Sequence, residues 1–236
     1  SHLYQNIVLR NPKSIFILLL ITLLSFGYFS KDFRLDASSD TLLIEGDPDL
    51  EYLKEITQRY GSKEFLILTY TPNEGMVTET SINNLLSLKY KIQSLDWVHS
   101  VVTLLDVPLL NNSEAPLEER LKNFKTLKDE NIDIERGFKE ILNSPVFRNF
   151  VISENGKTSA MIVYIKKDDL KDIESKSKRE IEIYKDILKK KNHKNINQIR
   201  KIIKSYKDVG KIYLGGIPMI ADDMMSFIKS DIIVFG

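Results

Sequence analysis

Asp222, Asp223 and Asp231 stand close together in a segment that turns steadily more apolar toward the C-terminal end. A carboxylate inside a bilayer is costly to keep and is the usual carrier of a proton relay. Here the aspartates precede the apolar run Ile232–Phe235, which favours the rim of a membrane helix, with Lys229 available as a partner. A relay and an interfacial ion pair are both open on these residues. The histidines, His2, His99 and His193, lie far apart with no HxxxH or His-carboxylate spacing, so they read as ordinary polar residues rather than metal ligands.

Other chemistry is narrowed by absence in the sequence. There is no cysteine, which excludes disulfides and Cys-based zinc sites. No GxSxG occurs, and no SxxK lies near an apolar pocket signature. GxGxxG and Walker A motifs are also missing, so neither an enzyme nor a cofactor is expected. The densest charge is basic: Lys185, Lys189, Lys190, Lys191, Lys194, Arg200, Lys201, Lys204 and Lys207 face only Asp186 in that segment. A solvated helix face is the plain reading, and contact with anionic lipid head groups is the functional one. Nucleic acid is not expected, because aromatics beyond Tyr184 and Tyr206 do not interleave the run and the whole chain carries a net charge of only +1.

The elements that hold these groups begin with an apolar stretch, Ser14–Phe29, that no charge interrupts. Roughly sixteen residues at 1.5 Å give about 24 Å, against a hydrocarbon core of ~30 Å. Pro12, Lys13 and a snorkelling Lys31 close the difference, and Tyr28 and Phe29 suit an interface. A signal peptide would need a small-residue cleavage site, which Phe26-Gly27-Tyr28-Phe29 does not offer. A soluble core helix would need more of a polar face than Thr22 and Ser25. Arg10 and Lys13 before the stretch balance Lys31 and Arg34 after it, so charge does not orient it.

Between this stretch and the C-terminal segment, periodicity gives a folded domain. Asp47-Pro48 marks a turn, Asp49 is the expected cap of a helix with Leu50, Leu53, Ile56 and Tyr60, and Gly61 is its expected stop. Phe65–Tyr70 reads as a strand. A helix opening at Thr78 or Thr80 presents Ile82, Leu85, Leu86, Tyr90 and Ile92, and Val98–Leu105 is a second strand. Residues 111–150 form a polar insertion with short helices over 117–127 and 134–142, broken at Pro145. Thr158–Ile165 is a third strand, and a charged helical region from Leu170 to Tyr206 follows, broken at Asn192–Asn195. Lys211–Leu214 is a fourth strand, and Gly215-Gly216 reads as a strand-to-helix turn requiring unusual φ. Pro218 suits the first turn of the last helix. The order β-α-β, insertion, β-α-β predicts an α+β fold, a ferredoxin-like βαββαβ sandwich with its helices on one face.

The anchor Ser14–Phe29, the stretch LDASSDTLLIEGDPDLEYLKEITQRYGSKEFLILTYTP and the closing YLGGIPMIADDMMSFIKSD resemble the N-terminal part of an RND-superfamily transporter of the MMPL-like branch, exporters of hydrophobic and lipid molecules in bacteria. Positions carrying the resemblance are Asp40, Gly46, Asp47, Gly61, Gly215, Gly216 and Pro218, as structural rather than catalytic points. The resemblance implies a cytoplasmic segment over 1–13, a first membrane helix over 14–30, an extracytoplasmic (periplasmic) porter domain over 31–216, and the start of a second membrane helix over 217–236. It implies the bacterial inner membrane, proton-driven export, a lipid bilayer and a hydrophobic or lipid substrate as partners, and the rest of the transporter, possible homo-oligomers included. The proton-relaying residues of such proteins lie on later helices. The residues alone leave a membrane-tethered sensor or ligand-binding domain open as the alternative.

Overall fold

In the computed structural model, residues 12–30, 47–60, 64–111, 116, 118, 124–166 and 177–235 are described. The chain divides between Asp36 and Ala37 into two units. In the first, α1 (Pro12–Ser30) is apolar all round, and every large apolar side chain from Phe16 to Phe29 is exposed, from 46% at Leu20 to 72% at Phe26. Thr22 satisfies its hydroxyl on the Leu18 carbonyl at 2.8 Å, the within-helix arrangement that apolar surroundings require. Among the described residues, Pro12–Phe29 alone is long and apolar enough to cross a membrane, by length and composition, and a signal sequence has the same properties.

The second unit is α+β. Its strands are β1 (Phe65–Pro72), β2 (Val98–Thr103), β3 (Ser159–Ile165) and β4 (Gly210–Gly215), in the order β2-β3-β1-β4. All three pairings are antiparallel, with Leu66 opposite Val163, Leu68 opposite both Met161 and Leu214, and Val101 opposite Val163. Strand side chains alternate between faces, so one face of β1 collects Leu66, Leu68 and Tyr70, all buried, while Phe65 and Ile67 stay exposed on the other. Helix α3 (Glu79–Gln93), capped by the Thr78 side chain at the Ser81 amide, packs Leu85, Leu88 and Ile92 into the same core. Tyr90 is exposed, so the buried stripe of α3 runs through Leu88 instead.

The long helix α5 (Lys178–Lys204) starts from a capping box between Ser177 and Glu180. It contributes Ile196 and Ile199 to the core and is tied to the turn before β2 by Trp97 Nε1 donating to Gln198 Oε1 at 2.7 Å. The expected break at Asn192–Asn195 is absent; the helix runs straight through. Its polar residues there are engaged sideways rather than against their own backbone, so they do not compete with the helical hydrogen bonds.

Three further boundaries differ from the sequence expectation. Strand β2 stops at Thr103, because Thr103 and Asp106 form a capping box around a 3₁₀ turn over Leu104–Asp106. Most of the short helix expected over 117–127 lies outside the described residues. Its described end is not helical: Leu109 donates to the Lys125 carbonyl at 2.8 Å in a β-bridge, and Thr126 turns onto Asp129. At α2 (Pro48–Tyr60) the cap is Asp47, not Asp49: Asp47 Oδ1 accepts from the Asp49 amide at 2.9 Å, and Pro48 fills the first helical position, where no amide is needed. The insertion is also less separate than its polarity suggests. It holds α4 (Ile134–Asn143), and Leu127 and Ile141 join the core.

Candidate functional site

Strand β4 ends at Gly215 and α6 spans Ile217–Phe235, so Gly216 alone turns the chain from strand to helix. Gly216 holds φ at +120°, and a Cβ there would lie 3.0 Å from the Phe65 carbonyl oxygen and 3.2 Å from Leu66 Cα. Only glycine meets both demands. Gly215 is ordinary by comparison, with 3.8 Å to the nearest atom a Cβ would meet. Pro218 takes the second position of α6, and the amides of Met219 and Ile220 close the first turn on the Gly216 carbonyl.

Around this joint the middle of α5 presents a polar face to α6. Asn192 Nδ2 donates to the Pro218 carbonyl at 2.8 Å. His193 Nδ1 lies 2.7 Å from Asp222 Oδ1, and Asn197 Nδ2 lies 2.9 Å from His193 Nε2. With the amide donating to Nε2, a neutral imidazole carries its hydrogen on Nδ1 and gives it to Asp222. Two turns on from His193, Arg200 reaches Asp223 Oδ1 at 2.5 Å and stands 3.6 Å from Asp222 Oδ2. Asp222 is buried at 6% exposure, and among the described residues its Oδ2 has no hydrogen-bond partner. One oxygen of this buried carboxylate is thus held by the imidazole, and the other faces the guanidinium across 3.6 Å. The junction sets two carboxylates against one guanidinium and one imidazole.

These contacts revise the sequence reading at several points. His193 is paired with a carboxylate. Arg200 leaves the basic run and serves Asp222 and Asp223. Lys229 is exposed and pairs with none of the aspartates among the described residues, and Asp231 is exposed as well. The separation of 29 positions between His193 and Asp222 hid the pairing. The available signal was the spacing of His193, Asn197 and Arg200, which sets three polar groups along one side of a helix. Asp40, Gly46, Gly61 and His2 lie outside the described residues. His99 is exposed at the irregularity between Val98 and Ser100 in β2.

A second charged cluster lies away from the junction. Lys89, 6% exposed, forms a close ion pair with Asp106, and Lys128 reaches the same Oδ1 at 3.0 Å. Burial alone would raise the Asp106 pKa, but hydrogen bonds from Lys89, the Thr103 amide and Lys128 together hold it below the usual carboxylate range. This cluster ties α3 to the turn after β2 and to the insertion. The Tyr70 side chain, by contrast, is buried beside Asn84 and Ser81, and burial pushes its pKa up. Among the described residues no group of His, Asp or Glu side chains converges as metal ligands would. No protein-family model matches this chain, and no curated protein matches it.

Proposed function

We propose that this chain is the N-terminal part of a proton-driven membrane transporter similar to the MMPL-like branch of the RND superfamily. Its domain over about 31–216 serves as the first extracytoplasmic porter domain and handles hydrophobic or lipid-like molecules. In this reading α1 is the first membrane helix and α6 begins the second, in the inner membrane of a bacterium.

The observation that carries the reading is the strand order β2-β3-β1-β4, all antiparallel, built from two β-α-β units. That order supports the ferredoxin-like βαββαβ sandwich, and with it a porter domain. The departure of α6 from β4 through one glycine supports a domain that moves with its membrane helix. Ile183, 52% exposed, can meet such a hydrophobic molecule from the surface of the domain, whereas Leu85 is buried at 1% exposure and cannot.

Photo-crosslinking with a lipid-analogue probe in the full-length protein tests this function. Labelling of the domain over 64–216 is expected, and labelling confined to the membrane helices would count against it. A reading frame that continues into a kinase-like or methyl-accepting cytoplasmic region would favour a membrane-tethered sensor instead.

A further inference from the structure

On the side of α5 turned away from Ile196 and Ile199, the residues at spacings of three and four are Ile183, Ile187, Lys190, Lys194, Asn197 and Lys201. Ile183 and Ile187 are 52% and 54% exposed, and all three lysines are exposed. None of these lysines has an ion-pair partner among the described residues, while Arg200, around the helix from them, is engaged by Asp222 and Asp223. From Ile183 to Lys204 the helix carries eight basic residues and one acidic residue, Asp186. The basic surface continues past the helix end, where Lys204, Lys207 and Lys211 line a cleft of 250 Å³ beside Ile203, Ile212 and Tyr213.

We propose that this outer face of α5 docks on an acidic lipid bilayer, with Ile183 and Ile187 entering the interface and Lys190, Lys194 and Lys201 meeting anionic head groups. Exposed aliphatic side chains combined with lysines along one helix face are what an interfacial helix needs. Charge complementarity fixes the occupant. A second copy of the same face would set lysine against lysine. Nucleic acid has no use for two exposed isoleucines, and no aromatic ring interrupts this face for a base to stack on. The inference rests on the reading of Pro12–Phe29 as a membrane span, which keeps a bilayer within reach of the domain. The seventeen or so chain steps between Ser30 and Asp47 reach at most about 60 Å.

The chain has no native cysteine, so Ile187→Cys gives a single attachment point for an environment-sensitive fluorophore. The labelled full chain is reconstituted into nanodiscs of phosphatidylcholine, with or without phosphatidylglycerol. Co-elution with the discs reports the membrane span; the fluorophore reports docking. In acidic discs the emission shifts to the blue and iodide quenching falls by about twofold or more, and high salt reverses both. Replacing Lys190, Lys194 and Lys201 by Gln returns the neutral-disc signal, and replacing all three by Arg keeps the acidic-disc signal. A label at the exposed turn residue Glu154 (Glu154→Cys) does not respond. Chain that co-elutes but gives the same emission in both disc types overturns the proposal. So does a shift that survives the Gln substitutions, or one shared by the Glu154 label. Chain that fails to co-elute overturns the membrane span and, with it, the docking.

Discussion

A methyl group at Gly216 would meet the Phe65 carbonyl oxygen at 3.0 Å on a backbone whose φ is already +120°. Gly216→Ala is therefore expected to destabilise the domain by about 1–3 kcal/mol, while Gly215→Ala changes stability by under ~0.5 kcal/mol. Thermal unfolding of the two variants side by side checks the contrast. The glycine pair was legible in the sequence as a turn, but which member bears the strain depends on where the helix starts, and that is set by packing against β1. At Asp106 the sequence offered less. Helical periodicity does not reveal that Lys89 is buried, because its partner arrives from the turn after β2. Asp106→Asn strips Lys89 of its closest counter-charge and is expected to cost about 3 kcal/mol. The carboxyl titrates below its unfolded value, so its contribution is complete above the unfolded pKa, about 4, and is lost as pH falls through the lower folded value. Wild-type stability measured by urea unfolding on acidification should fall in that window, and Asp106→Asn should flatten the dependence.

The strands were the most legible elements. Each of the four expected runs is a strand, because short β-branched and aromatic segments bounded by Gly and Pro leave few alternatives. The misreading at Asn192–Asn195 has a clear cause. Asparagine and histidine within a helix usually mark a stop, but here they face another helix that accepts their hydrogen bonds. The junction's contribution can be measured. Arg200→Met leaves Asp222 buried with His193 as its remaining partner, and local opening of the first turns of α6 is expected to become easier by roughly 2–4 kcal/mol. Combining it with Asp222→Leu should recover part of that loss, since a buried pair replaced whole costs less than one broken in half. Hydrogen exchange at the amides of Ile220–Met224 reads both effects, and an unchanged rate in Arg200→Met would remove the junction from any mechanical account.

At the scale of the whole molecule, the apolar character of α1 was plain in the sequence, because charge-free length is a property of composition. What α6 does is harder to read, since Asp222, Asp223, Lys229 and Asp231 interrupt it, and two of those charges belong to the domain rather than to a bilayer. For α1 the expectation is direct. Leu20→Arg, at its centre, should weaken membrane insertion by about 3 kcal/mol and move a fraction of the chain from the carbonate-resistant pellet to the supernatant. An unchanged pellet would mean that α1 is not what holds the chain. The strand-to-helix joint has a further consequence. With only Gly216 between β4 and α6, no slack separates sheet from rod, and the 19 residues of α6 form a lever arm about 28 Å long. A rotation of about 5° at its base would sweep Phe235 through about 2.5 Å, so motions too small to disturb the hydrophobic interior arrive magnified at the far tip.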